Sequence, residues 1–445
     1  MNSFYRGTIM LIIAAFISES LEFLVNMILA RELGEHGMGL YMSILPVVFL
    51  VVIIASFELP ISISKFVAEK KPELHYNMLK HTIRLTIFFV ICFMLISAVI
   101  LPTLPIFKEY HPLIKWLLIL LIPIIAFSSI ARGYFMGVQQ MGKIAISNFL
   151  RKCAQLIILF FVYHTFQFDL EMALLIALAT LIGSELLVCA YLVAAFIIHF
   201  QLIKSRPKTF MNASSVRKNL LAVSLPTTGL RLFHSLTHAM QPFLVKAALI
   251  ASGLTGVMAT EQYGMLAGVA MSIGFFPAFI GHSLMIMLIP NVSEAAAKKD
   301  RTKLVKLLQQ SMIITICYGF PAIIIMYIFA EPLTHLFFQS STPAFYLKML
   351  WPYFLFQYFV YPMQSYLIGL GLVKEAFFHT VWSHVISFAM MYVLGSMPQF
   401  GMEGVIIGMN MCAVLLMLMH YFTICNKIGV NLLLGESNLK KTTIF

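Results

Sequence analysis

Twelve apolar runs succeed one another along this chain, separated by short polar loops. They cover roughly residues 8–30, 38–62, 82–104, 113–137, 145–166, 171–200, 219–250, 260–290, 309–330, 345–369, 376–396 and 402–425. A helix needs about 20 mainly apolar residues to cross the hydrocarbon core. Inside that core only helices and closed barrels satisfy every backbone polar group. The runs therefore predict an all-α integral membrane protein with twelve transmembrane helices. The composition agrees, being 60% hydrophobic and 11% charged, whereas soluble proteins carry about 25% charged residues.

The cations give the topology. Of the 30 lysines and arginines, only Arg31, Lys108 and Lys115 fall in loops on one side. Arg132, Arg231, Lys246 and Lys348 fall within spans, and the rest sit on the other side. Cytoplasmic loops carry the Lys/Arg excess, so both termini are expected in the cytoplasm of a multi-pass protein of the bacterial cytoplasmic membrane. The same bias accounts for the net charge of +12, and no nucleic-acid partner is expected. Arg6 and the apolar run after it imitate a secretory signal. Glu19 and Glu22 inside that run, with no small-residue cleavage site, predict a retained helix instead. The six cysteines show no C-x-x-C pair, so neither a disulfide framework nor a metal site is expected.

An internal repeat organises the chain. A shift of 229 to 232 residues brings Pro60 onto Pro290, Pro102 onto Pro332, Pro112 near Pro343, Pro123 near Pro352, Tyr134 and Gly137 onto Tyr366 and Gly369, and Glu171 onto Glu403. Six helices separate the copies, and an even number preserves their direction through the membrane. Two parallel-repeat six-helix lobes around a central cavity are predicted. The expected divisions are a first lobe over 1–200, a cytoplasmic linker over 201–218, a second lobe over 219–426 and a cytoplasmic tail over 427–445. The basic, amphipathic segments Glu73–Leu85 and Asp300–Leu308 are expected along the inner membrane surface, near anionic headgroups.

The stretch from Leu225 to Lys246 carries the chemistry that hydrocarbon will not accept. Arg231, His234, His238 and Gln241 are spaced i, i+3, i+7 and i+10, one narrow stripe of a helix. Intramembrane ionisable residues face a bundle interior or a wet cavity. Arg231, with the histidines when protonated, suits an anionic group such as a diphosphate. On the first helix, Glu19, Glu22 and Asn26 form an acidic stripe at i, i+3 and i+7. They would balance charge or take a coupling cation, H⁺ or Na⁺. A static salt bridge between the lobes is the plainer alternative for both stripes. Glu58, just before Pro60, lies deep enough to be costly if it faces lipid. Arg132 either snorkels to the headgroups or lines the cavity. Glu185, His282, His384, Gln357 and Gln364 are expected to hydrogen-bond between helices.

No P-loop, G-x-S-x-G, H-E-x-x-H or Rossmann fingerprint is present. Neither an enzyme nor a resident cofactor is expected, and any uphill work must draw on an ion gradient, the membrane potential or coupled metabolism. The segments RGTIMLIIAAFISESLEFLVNMILARELGEHGMGLY, GVAMSIGFFPAFIGHSLMIMLIPNVSEAAAKK and SLPTTGLRLFHSL resemble the stage V sporulation protein B-like branch of the polysaccharide exporters. The resemblance covers nearly the whole chain. It implies two six-helix lobes around a cavity in a flippase working by alternating access. The implied cargo is a polyprenyl-diphosphate-linked sugar or other envelope precursor, in a sporulation context. Arg231 falls where relatives often carry an arginine. Relatives commonly read S-R-x-L-G-F in the first helix, whereas this chain has Ser18-Glu19-Ser20-Leu21-Glu22-Phe23. A cation-coupled drug extruder suits those glutamates, and a membrane scaffold that transports nothing is a further alternative.

Overall fold

A bilayer leaves the backbone of each apolar run no partner but itself, so the runs wind into helices. The computed structural model describes residues 3–70, 72–204, 213–337 and 341–430. The middle of the expected linker (205–212), the tail residues 431–445 and Lys71 lie outside the described residues. In chain order the helices are α1 (Ser3–Ser56), α2 (Leu59–Glu69), α3 (Pro72–Thr103), α4 (Leu113–Gly137), α5 (Met141–Thr165) and α6 (Leu170–Lys204). Then come α7 (Ala213–Ala251), α8 (Gly256–Gly264), α9 (Met271–Phe275), α10 (Ala278–Ala297), α11 (Arg301–Ile328) and α12 (Ala330–His335). The last four are α13 (Thr342–Met349), α14 (Trp351–Gly369), α15 (Val373–Gly395) and α16 (Met402–Ile428). No sheet occurs among the described residues, and the chain is an all-α, multi-pass membrane protein.

Among the described residues, 9 helices are long and apolar enough to cross a membrane. The first stretch, Ala15–Glu69, has 55 residues, or about 80 Å at 1.5 Å per residue. That is far more than a core of about 30 Å requires. Gly34 breaks it, with φ at 67°, a conformation that glycine adopts without steric cost. The expected run 260–290 is interrupted too. A π-helical turn occupies Met265–Ala270, and the chain restarts after Pro277 as α10. Glu73–Leu85 lies within α3, and Asp300–Leu308 caps and opens α11, since no glycine or proline separates either segment from the apolar run that follows. The expected linker shortens likewise, since Lys204 ends α6 and Arg217 and Lys218 lie within α7.

Contacts divide the chain into two compact units, residues 41–240 and residues 1–40 with 241–445. The boundaries fall inside α1 and α7 rather than at the linker. Within the first unit α2 lies on α4, α4 and α5 lie on α6, and α3 lies on α4. Within the second the same scheme recurs, with α10 on α14, α14 and α15 on α16, and α11 on α14. Close approach in each depends on a glycine at a helix end. A Cβ on Gly137 would come 2.6 Å from Val67 Cβ, and one on Gly369 would come 2.7 Å from Val292 Cβ. Around these contacts Ile63, Val67, Ala131, Tyr134 and Leu192 are buried together in one unit, and Leu288, Val292, Met363, Tyr366 and Ile424 in the other.

This packing corrects one element of the expected repeat. Gly137 and Gly369 are 232 residues apart, as expected, but Val67 and Val292 are 225 apart. Pro60 and Pro290 are therefore not equivalent in the packing. Pro60 lies in the first turn of α2, whereas Pro290 lies inside α10.

Candidate functional site

The local fold first builds a place for Glu58. α1 ends at Ser56, and Phe57 and Glu58 both take positive φ, 45° and 47°. Such conformations cost about 1–3 kcal/mol each in a non-glycine residue. α2 then begins at Leu59 with Pro60 in its first turn, where the missing N–H goes unneeded. The Glu58 carbonyl accepts from the Ile61 and Ser62 amides at 3.2 and 3.3 Å. The reversal leaves Glu58 only 1% exposed.

A buried carboxylate requires a partner, and Arg231 supplies it. Its Nη1 donates to Glu58 Oε1 at 2.5 Å, while 60% of the Arg231 side chain stays exposed. One end of this pair is thus buried and the other open. Arg231, His234 and His238 are all exposed on one face of α7, and the buried Ser224, Thr228, Ser235 and Ala239 form the face next to it. The two imidazoles stack at 5.1 Å with an interplanar angle of 13°. Gln241, fourth in the stripe, is half-buried. The spacing argument anticipated the stripe. The identity of its acid, 173 residues earlier in the chain, was not anticipated.

Arg132 has different neighbours. It lies on α4, half-buried, close enough to Glu185 and Arg151 to interact with both charges. Arg151 and Glu185 form an ion pair at 3.4 Å. Glu185 therefore takes part in a charged group rather than in neutral hydrogen bonding.

The first-helix stripe belongs to the other unit, where its members separate. Asn26 donates from Nδ2 to Ser272 Oγ at 3.3 Å. Glu19 is half-buried beside Tyr361 of α14, and Glu22 is exposed. The Tyr361 ring meets His282 edge-on at 4.5 Å, with Gln357 bonding to Tyr361 one turn earlier in α14. Sequence reading missed Tyr361 and Ser272. The only signal for Tyr361 was its position one turn after Gln357. Phe23 fixes the helix by meeting Phe276 and Phe337 edge-on at 5.4 and 5.2 Å. No group of three or more metal-ligating side chains occurs among the described residues.

Comparison with known proteins adds the following. The family described as "Polysaccharide biosynthesis protein" matches residues 4–256, and the MatE family matches residues 266–386. The chain is 55% identical to "Sporulation protein YkvU" of Bacillus subtilis (strain 168), over 98% of both chains. It is 30% identical to "Stage V sporulation protein B" of the same organism, over 100% of this chain and 88% of that one. Its fold is similar to that of a multidrug resistance MATE family transporter of the MOP superfamily solved in an inward-facing conformation. The TM-score is 0.72 at 15% identity, covering 92% of this chain and 94% of that one.

Proposed function

Since the chain belongs to the polysaccharide biosynthesis protein family of transporter-type membrane proteins, we propose that it is a flippase. Its cargo is a polyprenyl-diphosphate-linked sugar or related envelope precursor, moved across the bacterial cytoplasmic membrane during sporulation. In this reading twelve spans form two six-helix repeats around a central cavity, with both termini cytoplasmic. The equivalent glycine packing at Gly137 and Gly369 supports the repeat.

The observation that carries the reading is the half-open pair of Arg231 and Glu58. A guanidinium carries five N–H donors in a planar fork, and here a buried carboxylate engages it while most of the side chain stays exposed. An arriving diphosphate competes with Glu58 for that fork. Releasing Arg231 would leave Glu58 buried and uncompensated, at a cost of about 3–5 kcal/mol. Uptake of H⁺ or Na⁺ by Glu58 offsets that cost, and so couples cargo binding to cation binding. His234 and His238 extend the anion-binding face, Gln241 adds a polar contact, and Arg132 supplies further positive charge. Glu19, Glu22 and Asn26 balance charge on α1. A cation-coupled extruder is the second reading, favoured by Glu19 beside Tyr361 and His282.

The test uses full-length protein in liposomes with a fluorescent polyprenyl-diphosphate sugar in both leaflets. The outer leaflet is quenched and the appearance of inner probe is followed. Fast exchange that slows at least about tenfold in Arg231→Ala is expected, tenfold being 1.4 kcal/mol. No exchange, in vesicles where a known flippase works, would overturn the flippase reading. Dye efflux under a proton or sodium gradient would then separate an extruder from a scaffold.

A further inference from the structure

Arg132, Arg151 and Glu185 stand on three packed helices, α4, α5 and α6, in an otherwise apolar bundle. Glu185 lies 3.4 Å from Arg151, and Arg132 stands near enough for the charges of both to act on it. Two guanidiniums thus neighbour one carboxylate, which pairs with Arg151. Arginine does not deprotonate in proteins, so the group keeps one uncompensated positive charge. Arg132 Nε is buried without a hydrogen-bond partner among the described residues. A buried donor of this kind, beside excess positive charge, favours an anion as its partner. Ser128, one turn before Arg132 on α4, and Gln155, one turn after Arg151 on α5, are both buried.

We propose that Arg132 and Arg151 form a phosphate-binding site, with Glu185 as its internal placeholder. The planar forks of two arginines match the tetrahedral oxygens of a phosphate better than a point cation does. Arg151 and Glu185 keep side-chain exposures of 26% and 16%, which leaves the group partly accessible to a ligand. The phosphate belongs to a lipid headgroup or to a lipid-linked diphosphate. Both offer the same chemistry. Arg132 is the residue the site shares with the cargo-binding charges proposed above, while Arg151 and Glu185 belong to this site alone and are read by binding rather than by transport.

The experiment measures binding by the full-length protein in detergent. The probes are a short-chain phosphatidylglycerol and farnesyl diphosphate, with an uncharged diacylglycerol as control. Arg132→Gln should weaken the phosphate probes about tenfold, the loss of a charge-assisted hydrogen bond. Glu185→Gln removes the competing carboxylate and should strengthen them. The opposite signs separate a binding role from general damage to the fold. If Arg132→Gln does not fold, Glu185→Gln alone still gives the diagnostic direction. Preference for phosphatidylglycerol identifies a headgroup site, and preference for farnesyl diphosphate identifies a second cargo contact. Unchanged binding in both variants, or weaker binding in Glu185→Gln, overturns the proposal and leaves the three residues an internal ion network. That failure would not touch the role proposed for Arg231, which is read by lipid exchange.

Discussion

Removing Arg231 should damage the protein more than removing Glu58, and removing the charge of both should restore part of the loss. The ion pair has one nearly buried end and one open end. At the 2.5 Å separation, the gross attraction is about 7 kcal/mol with an effective dielectric constant of 20. The desolvation of Glu58 takes back several kcal/mol, which leaves a net of about 2–3 kcal/mol. Arg231→Ala forfeits that gain and strands the buried carboxylate, so it should cost about 3 kcal/mol. Glu58→Gln keeps a polar side chain against Arg231 and leaves an exposed cation that water can solvate. It should cost about 1 kcal/mol. The double variant carries no stranded charge and should be more stable than Arg231→Ala alone. At about 2 °C per kcal/mol for a large chain, the melting temperature falls about 6 °C for Arg231→Ala, with a third or more recovered in the double variant. Thermal melts of the four proteins in one detergent make a double-mutant cycle, with an expected coupling of at least about 2 kcal/mol. A coupling within about 0.5 kcal/mol of zero would refute the reasoning, because the pair would then be a solvated surface contact.

Further expectations concern packing and capping. Gly137→Ala and Gly369→Ala should each lower stability by about 1–3 kcal/mol through overpacking, since Val67 and Val292 block the new methyl in the same way. Gly142→Ala, with nothing within 4 Å, should be neutral or slightly stabilising, and the same melts distinguish the three. Tyr366→Phe deletes a buried hydroxyl that donates to the Leu304 carbonyl at 2.7 Å, and should cost about 1 kcal/mol. Arg301 caps the end of α16, donating from Nε to the Ile428 carbonyl at 3.0 Å and from Nη2 to the Gly429 carbonyl. Arg301→Ala should speed amide hydrogen exchange at that helix end, with little change elsewhere.

The helical, membrane-spanning character of the chain was legible because it follows from two facts that need no tertiary information: the thickness of a bilayer and the need to satisfy every backbone polar group. The exposed stripe of Arg231, His234 and His238 was legible for a similar reason, since helical spacing alone puts those residues on one face. Partners were harder to see. Glu58 meets Arg231 only because Phe57 and Glu58 reverse the chain between α1 and α2, and nothing local demands positive φ at a phenylalanine and a glutamate. Spans that appear as one run but break, as at the π-helical turn and Pro277, share the problem, because neighbouring helices decide where a chain restarts. The prolines misled for a different reason. Pro60 and Pro290 match in register while the packing has slipped by several residues, since a proline is tolerated both in a helix's first turn and at a kink.

The repeat also locates the chemistry, because the two units keep their packing and differ in their charges. With the shift of 232 set by Gly137 and Gly369, Arg132, Arg151 and Glu185 correspond to Gln364, Ser383 and Met417, all uncharged. With the shift of 225 set by Val67 and Val292, Glu58 corresponds to Ser283. The other unit holds its own polar pair, His379 and His420, with Nδ1 atoms 3.0 Å apart, where the first has Ser147 and Val188. A structural need common to the fold would place similar groups in both copies, as it does for Tyr134 and Tyr366. Buried or half-buried charge that one copy carries and the other lacks serves no shared packing role, and desolvation costs stability where it stands. The asymmetry therefore sets Glu58, Arg132, Arg151 and Glu185 apart from the packing that the two units share, and it is why the proposals above rest on these charges.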